Sequence, residues 1–401
     1  MKKIKKIAII GTVGVPGRYG GFETLADHLV KQWEGKLDLT VYCSKKVYQE
    51  GNRPSSYHGA RLVYLPFNAN GVQSIIYDIV SIFHAMFYAD KLLILGVSGG
   101  IVLPLVKLLT KKKIIVNIDG LEWRRPKWSK TIRKFLKMSE YLAVKYSDAD
   151  ITDNMALRKY TAKSYNSLSY LVAYGGDHVI PVAKQQHDIE KYPFLDGQYA
   201  FKVCRIEPEN HVHLILEAYE KLDETLVVVG NWNHSEYGVD LKRKYSDTEN
   251  IILLDPIYEQ ESLDLLRSNA SIYLHGHSAG GTNPSLVEAM NLGLPIFIYD
   301  AIYNHHSTFF QAPSFKNKEE LIELVKNTTE SQRIALGHKM KELALENYTW
   351  EVIADKYHQL IRAFDYQYKK KKVSSKWRKM GRITLKGHSV SHLSRNEMYT
   401  N

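Results

Sequence analysis

Residues 271–300, SIYLHGHSAGGTNPSLVEAMNLGLPIFIYD, combine two kinds of hydrophobic pattern around a glycine-rich centre. An apolar run, Ile272 to Leu274, precedes the glycines, and a second apolar run, Pro295 to Tyr299, closes the segment. Between the two runs, Asn283 is a good helix N-cap and Pro284 suits the first position of a helix. The segment therefore predicts a strand, a loop, a helix and a second strand.

The loop between these predicted strands is a candidate site for a phosphate group. Backbone N–H groups at a helix start have no partner within the helix, and the helix dipole adds positive charge at that end. Glu288 follows one turn later, within reach of a ribose hydroxyl if the phosphate lies at the helix start. A glycine-rich turn also occurs in α/β domains simply to connect a strand to a helix, so both interpretations stay open.

The segment resembles the nucleotide-sugar signature of family 4 glycosyltransferases of the GT-B type, in which two glutamates separated by seven residues flank the glycine-rich loop. Glu288 stands at the second glutamate position, and Gly280 occupies the first. The resemblance implies two Rossmann-like α/β domains that face each other across a cleft. It also implies that the nucleotide sugar contacts His277, Gly280, Gly281, Thr282, Asn283 and Glu288.

Length and composition indicate two globular domains. A chain of 401 residues exceeds one hydrophobic core, and 44% hydrophobic with 24% charged residues is typical of a folded protein. The two cysteines, Cys43 and Cys204, follow no metal-binding or redox spacing, which favours a reducing, cytoplasmic compartment. With the resemblance, the predicted parts are an acceptor-side domain (1–176), a linker (177–197), a nucleotide-sugar-binding domain (198–345), a helix returning to the first domain (346–366) and a basic tail (367–401).

Positive charge is concentrated in two parts of the chain. The formal net charge is +11, and residues 367–401 contain seven Lys and three Arg against one Glu. A second basic cluster contains Arg124, Arg125 and Lys127 beside Trp128. Such clusters favour an anionic membrane surface, and no stretch of about 18 uninterrupted apolar residues predicts a membrane span. We therefore expect a cytoplasmic protein that docks peripherally on the inner face of the cell membrane, with no nucleic-acid partner.

The loop after the first predicted strand, GTVGVPGRYGGFET (11–24), is also rich in glycine. Its glycines do not follow the G-x-G-x-x-G pattern, and no acidic residue ends the second predicted strand, which argues against an NAD site. The string resembles the opening of a bacterial subgroup of family 4 transferases that includes rhamnosyltransferases of capsule and cell-wall polysaccharide assembly. The resemblance implies that Gly20, Gly21 and Glu23 lie near the site, although a glutamate there can equally complement the helix dipole.

Acidic residues stand at the ends of other predicted strands and helices of the first domain. Asp119 leaves the carboxyl end of the predicted strand 114–118, where sites in open α/β sheets gather, although it could instead cap the turn. The string DGLEW resembles the same subgroup, which implies that Asp119 and Glu122 lie on the acceptor side. Asp148 and Asp150 form an Asp-x-Asp pair that could hold a divalent metal, but acidic residues between a helix and a strand are ordinary turn formers. We expect no metal and no other cofactor.

The predicted second domain opens with a strand followed by the string RIEPEN (205–210). In the family, an arginine and a lysine at this place grip the diphosphate. Arg205 is present, and Asn210 stands where the lysine is usual. Arg205 is thus the strongest candidate for a charge-assisted phosphate contact, with a surface arginine at a strand end as the alternative. His275 and His277 could suggest zinc, but no third ligand is near in the sequence, which favours hydrogen bonding to the donor.

The resemblance covers residues 1–366 and implies a retaining glycosyltransferase. We expect it to move L-rhamnose from dTDP-L-rhamnose onto an undecaprenyl-diphosphate-linked sugar. Arg205 would stabilise the departing diphosphate, and Asp119 would orient the acceptor hydroxyl. A glucosyl, galactosyl or N-acetylglucosaminyl donor stays open within the same fold. An NAD-dependent oxidoreductase and a non-catalytic membrane- or glycan-binding protein are the alternatives from other classes.

Overall fold

The computed structural model describes residues 5–17, 20–118, 120–125, 128–366 and 370–372. Within these ranges the chain forms two sheets flanked by helices, which confirms the predicted α/β fold with two Rossmann-like domains. Among the helices of the described ranges, none has both the length and the apolar character needed to cross a membrane.

The first domain is built on an eight-stranded sheet. Its strands are β1 (Lys6–Ile10), β2 (Asp38–Ser44), β3 (Ser56–Tyr57), β4 (Ala60–Leu65), β5 (Lys91–Leu95), β6 (Lys113–Asn117), β7 (Ala149–Thr152) and β8 (Tyr170–Leu171). They lie in the order β3-β4-β2-β1-β5-β6-β7-β8, and all neighbours are parallel except β3 and β4. The helices are α1 (Gly21–Gln32), α2 (Gln73–Ala85), α3 (Leu103–Leu109), α4 (Lys130–Tyr146) and α5 (Met155–Tyr165). Strand β5, KLLIL, is buried along its whole length because helices cover both faces of a parallel sheet.

The second domain follows α6 (Gln186–Lys191) and contains a six-stranded parallel sheet. Its strands are β9 (Tyr199–Val203), β10 (Thr225–Val229), β11 (Ile251–Leu254), β12 (Ile272–His275), β13 (Ile296–Tyr299) and β14 (Ser314–Phe315), in the order β11-β10-β9-β12-β13-β14. The helices are α7 (Val212–Tyr219), α8 (Glu236–Tyr245), α9 (Gln260–Ser268), α10 (Pro284–Asn291), α11 (Ile302–Ser307), α12 (Lys318–Asn327), α13 (Glu330–Asn347) and α14 (Trp350–Ala363).

Helix α14 packs against the first domain rather than the second sheet that precedes it in the chain. The Trp33 Nε1 donates to the Ala354 carbonyl at 3.3 Å. The Asn117 Nδ2 donates to the Tyr357 hydroxyl at 2.7 Å, and both residues are buried. Because Asn117 ends β6, this bond ties the returning helix to the edge of the sheet at which strands β1, β5, β6 and β7 end.

The hydrogen bond between Asn117 and Tyr357 yields a stability prediction. Tyr357→Phe should lower the free energy of unfolding by about 1–3 kcal/mol, because the buried Asn117 amide loses the hydroxyl that accepts from it. Urea denaturation measures this loss. Tyr258→Phe is the matched control, since the Tyr258 side chain is 73% exposed, and it should unfold like the wild type. Equal effects of the two substitutions would contradict the prediction.

Candidate active site

The glycine-rich loop after β12 lies against the first domain. The Thr282 N–H donates to Asp153 Oδ2 at 3.1 Å, and the Thr282 hydroxyl donates to the Asp153 carbonyl at 2.6 Å. A Cβ atom added to Gly120 would lie 3.3 Å from Gly280 Cα, so the loop after β6 also reaches this point. The carboxyl ends of β6, β7 and β12 therefore meet here, and this edge is where ligands bind in parallel α/β sheets.

The start of α10 has the geometry that the sequence predicts. Asn283 Oδ1 accepts from the Ser285 N–H at 3.2 Å and from the Ser285 hydroxyl at 2.8 Å, and Pro284 occupies the first turn. The predicted strand, helix and strand of residues 271–300 are β12, α10 and β13. The positive end of α10 thus lies at the glycine-rich loop, where it favours an anion.

The carboxylate of Glu288, one turn into α10, already has two protein partners. Arg267 Nη1 lies 2.7 Å from Glu288 Oε2, and His178 Nε2 lies 3.4 Å from Oε1. Burial acts to raise the pKa of Glu288, but Arg267 and His178 outweigh burial and hold that pKa at about 2. The predicted contact with a ribose stays a prediction, and it would add a third partner to an ionised carboxylate.

Arg205 and Asn210 differ in what they offer to a ligand. Arg205 follows β9 at its carboxyl end and is exposed. Asn210 is only 3% exposed, and its Nδ2 donates to the Arg205 carbonyl at 2.7 Å. The residue at the usual lysine position therefore braces the loop that carries Arg205, and a direct contact of Asn210 with the donor stays a prediction.

Beneath this loop lies a group of nitrogen-bearing side chains from β9, from β12 and from the loop that follows β12. The Lys202 Nζ, both ring nitrogens of His275 and the His277 Nδ1 are buried and have no hydrogen-bond partner among the described residues. The rings of His275 and His277 stack with centroids 4.4 Å apart. Burial lowers the pKa of Lys202, His275 and His277, and the positive charges of Lys202 and Arg205 lower that of His277 further. Lys202 is not among the predicted site residues, because a lysine inside an apolar strand gives no signal of its neighbours.

Glu23 contacts two points of the glycine-rich loop of the first domain, at Val13 and at Gly20. Its Oε1 accepts from the Val13 N–H at 2.9 Å, and a Cβ atom on Gly20 would lie 2.1 Å from its Oε2. Gly20 has φ of 128°, a conformation that favours glycine, and Gly21 begins α1. Glu23 thus braces the loop between β1 and α1, and its predicted contact with an acceptor stays a prediction.

Two predicted site residues, Asp119 and Lys127, lie outside the described residues. The residue before Asp119, Ile118, is buried, and its N–H donates to the Ile151 carbonyl at 3.1 Å. The backbone pairing of the first sheet therefore extends to the residue that precedes Asp119, at the edge where the glycine-rich loop of the second domain arrives.

Glu122 bonds to two residues of the predicted membrane-docking cluster. Trp128 Nε1 donates to Glu122 Oε1 at 2.9 Å, and Arg125 Nε lies 2.9 Å from Glu122 Oε2. Arg124 is exposed, and its guanidinium lies 5.1 Å from the ring centroid of Trp123. Glu122 therefore organises the segment beside the site, while Arg124 stays accessible to a partner.

The Asp-x-Asp pair is held by lysines and hydroxyls of the fold. Asp148 pairs with Lys107, and it accepts from the Ile114 N–H at 2.8 Å. Asp150 pairs with Lys370 at 2.7 Å and accepts from the Ser167 hydroxyl at 2.6 Å. In the described ranges, no group of three His, Cys, Asp or Glu residues is arranged to hold a metal ion. Their contacts with lysines, a backbone N–H and a hydroxyl give both carboxylates a structural role at the start of β7.

Two known family models match the chain, one in each domain. Residues 184–344 match the family of glycosyl transferases group 1, and residues 4–177 match a domain of unknown function, DUF1972. No curated protein matches the sequence.

Solved structures with the same fold cover nearly the whole chain. A sucrose-phosphate synthase from Thermosynechococcus elongatus is 14% identical with a TM-score of 0.74, and the match covers 91% of this chain and 100% of that one. The Anabaena protein HepE in complex with UDP and glucose is 11% identical with a TM-score of 0.68, covering 90% and 100%. A putative UDP-N-acetylglucosamine 2-epimerase from Listeria monocytogenes is 14% identical with a TM-score of 0.57, covering 93% and 100%. At these identities the similarity shows the fold alone, and it confirms the predicted GT-B architecture.

The ion pair of Glu288 yields a prediction with a defined pH dependence. Glu288→Gln should lower the free energy of unfolding at pH 7 by about 3 kcal/mol, because the buried Arg267 would keep only the carboxylate of Asp264, 3.8 Å away. The folded-state pKa of about 2 lies below the ordinary value of 4.5, so this stabilisation is full above pH 4.5 and is lost as the pH falls towards 2. Urea denaturation of both proteins between pH 7 and pH 3 measures the difference.

The matched control is Glu323→Gln, because the Glu323 side chain is exposed. It should change the free energy of unfolding by less than about 0.5 kcal/mol at every pH. A difference between wild type and Glu288→Gln that is as large at pH 3 as at pH 7 would show that the carboxylate does not contribute through its charge.

Proposed function

We propose that the protein is a glycosyltransferase of the GT-B type that transfers L-rhamnose from dTDP-L-rhamnose, because residues 184–344 match the family of glycosyl transferases group 1 and the two domains have the GT-B fold. The acceptor in this proposal is a sugar linked to undecaprenyl diphosphate, and the configuration of the transferred sugar is retained. The product would enter a bacterial surface polysaccharide such as a capsule or cell-wall polymer.

The observation that carries the proposal is the concentration of nitrogen-bearing side chains where β9 and β12 end. Arg205 is exposed there, and the Lys202 Nζ, both ring nitrogens of His275 and the His277 Nδ1 have no hydrogen-bond partner among the described residues. A nucleoside diphosphate brings negative charge, which the exposed Arg205 would offset. Positive groups fixed before the reaction stabilise the charge that grows on the departing diphosphate. Arg205 is the group proposed to contact it.

The ribose and the phosphates of the donor are assigned to residues at the end of the glycine-rich loop and in α10. We assign the ribose to Glu288 and the phosphates to the start of α10 at Asn283, whose geometry suits an anion. No divalent metal takes part in this proposal, because the carboxylates of Asp148 and Asp150 are engaged with Lys107 and Lys370. Arg205 and the positive end of α10 would neutralise the diphosphate instead.

The identity of the donor sugar rests on the strings GRYGGFET (17–24) and DGLEWRR (119–125), which resemble rhamnosyltransferases of surface polysaccharide assembly. A glucosyl donor is the second candidate, because the similar protein HepE was solved with UDP and glucose. The two candidates differ in both base and sugar, so separate nucleotides and nucleotide sugars distinguish them.

Thermal shift with a panel of nucleotides tests the donor. A ligand present at 100 times its dissociation constant stabilises the folded protein by about 2.7 kcal/mol. We expect dTDP-L-rhamnose to raise the melting temperature more than dTDP, and dTDP to raise it more than UDP. A larger shift with UDP-glucose would replace the rhamnosyl donor by a glucosyl donor. No shift with any nucleotide sugar at millimolar concentration would contradict a transferase function and favour a non-catalytic protein.

A surface of the first domain supports a membrane-bound acceptor. Helices α3 and α4 pack together and expose apolar side chains beside lysines. Leu108 is 80% exposed and Met138 is 49% exposed, while Lys134 and Lys137 line the shallow pocket beside Met138. Exposed apolar groups beside long basic side chains suit the interface of an anionic membrane. We propose that this surface docks the protein on the inner face of the cell membrane, with the cytoplasmic nucleotide sugar on the other side of the cleft.

Liposome sedimentation tests the docking surface. Each Lys or Arg near an anionic surface contributes about 1 kcal/mol, so replacing Arg124, Lys134 and Lys137 by Gln should weaken partitioning roughly 100-fold. High salt should release the wild type, because it screens the same attraction.

The control variant replaces Lys221, Lys244 and Lys326 of the second domain by Gln, with the same change in net charge. It should sediment like the wild type on phosphatidylglycerol vesicles at low salt. Equal losses in the two triple variants would mean that net charge alone drives binding, and the proposed surface would be wrong.

A further inference from the structure

We propose that Asp153, which follows β7 in the first domain, is the positioning residue that shapes the sugar half of the donor site in the second domain. The inference rests on the proposed function, since it concerns the same donor. It addresses the part of the site where Gly280 stands in place of the first glutamate of the family signature.

Asp153 holds the glycine-rich loop by two hydrogen bonds from different parts of the residue. Its Oδ2 accepts from the Thr282 N–H at 3.1 Å, and its carbonyl accepts from the Thr282 hydroxyl at 2.6 Å. Asp153 is 3% exposed and Thr282 is 4% exposed. Two bonds between the same two buried residues fix both the distance and the orientation of the loop relative to β7.

The next residue fastens a second element of the same domain. Asn154 Nδ2 donates to the Tyr303 carbonyl at 3.0 Å and to Ser307 Oγ at 3.1 Å, both in α11. Asn154 Oδ1 accepts from the Ala156 N–H at 2.9 Å and thereby caps α5 of its own domain. Asp153 therefore stands on a rigid helix start, with the glycine-rich loop on one side and α11 beside it.

The carboxylate of Asp153 also determines which residues the loop can contain. A Cβ atom on Gly281 would lie 1.9 Å from Asp153 Oδ1, so any side chain at position 281 collides with this carboxylate. Gly280 has φ of 118°, which L side chains rarely adopt, although no atom of the residues that the structure describes lies within 4 Å of a Cβ placed there. Asp153 thus holds the loop in a glycine-only conformation that leaves open space beside Gly280, where the donor sugar would lie.

A residue that positions the sugar and a residue that only stabilises the fold affect different dissociation constants when they are replaced. If Asp153 shapes the sugar half of the site, its loss should weaken binding of the nucleotide sugar relative to the nucleoside diphosphate, which contacts other residues. If Asp153 only stabilises the fold, both affinities should change together or neither should change. The ratio of the two dissociation constants is therefore the informative quantity.

The experiment measures dissociation constants of dTDP and dTDP-L-rhamnose, and of UDP and UDP-glucose, by calorimetry for four proteins. In Asp153→Ala we expect the nucleotide sugar to bind about tenfold more weakly and the diphosphate within about twofold of the wild type. Gly281→Ala should give the same pattern, because its methyl group displaces the loop. The double variant should be no worse than Asp153→Ala, since the carboxylate atoms that the methyl group would meet are then gone.

The matched control is Asp150→Ala. Asp150 is a buried carboxylate of β7, 2% exposed, which bonds to Lys370 and Ser167 and not to the loop. It should lower the melting temperature without changing the ratio of the two dissociation constants.

The outcomes separate this inference from the function on which it rests. A wild type that binds neither nucleoside diphosphate contradicts the proposed function. A wild type that binds both ligands, with an unchanged ratio in Asp153→Ala and Gly281→Ala, overturns the role of Asp153 alone. If Asp153→Ala does not fold, Gly281→Ala decides, because it leaves the carboxylate and its charge in place.

Discussion

One buried ammonium group fixes the position of the returning helix on the first domain. Lys91, at the start of β5, is 3% exposed, and its Nζ donates to the Ile361 carbonyl at 2.6 Å and pairs with Asp365 at 2.9 Å. A charge removed from water is tolerated only where its partners offset the cost of desolvation. Helix α14 therefore cannot slide along the first domain without leaving this charge unpaired. The same helix also bonds to Asn117 at the end of β6, the strand whose carboxyl end faces the glycine-rich loop.

The sequence predicts the elements that local chemistry determines. The cap at Asn283 and the proline after it mark the start of α10 correctly, because capping involves residues within one turn of each other. Buried strands such as β5 and β9 are visible as short apolar runs, and their alternation with helices predicts two parallel sheets. The α/β class and the two-domain architecture were thus accessible without coordinates.

The sequence does not reveal contacts between residues far apart in the chain. Asp153 looks like an ordinary residue before a helix, and its partner Thr282 is 129 positions away. Arg267 ends an amphipathic helix whose apolar pattern gives no signal of a buried ion pair with Glu288. Lys202 is one lysine in an apolar strand, and only the fold brings it beneath Gly276, where a Cβ atom would lie 3.0 Å from its Nζ. Side chains that brace the candidate site were therefore the ones most easily missed.

The contact between Asp153 and Thr282 has a consequence for how a donor and an acceptor would be aligned. Strands β6 and β7 are parallel neighbours, so Ile118, which follows β6, and Asp153, which follows β7, stand at the same edge of one sheet. Asp119 follows β6 in the sequence, and Asp153 follows β7. If Asp119 orients the acceptor and Asp153 shapes the donor loop, a single rigid sheet sets the distance between the two reacting groups. A misplacement of about 1 Å can slow a reaction about 100-fold, so such alignment within one domain protects the rate from small movements of the other. Gly280 then contributes to the same alignment. Its loop belongs to the second domain, but Asp153 of the first domain sets the conformation of that loop.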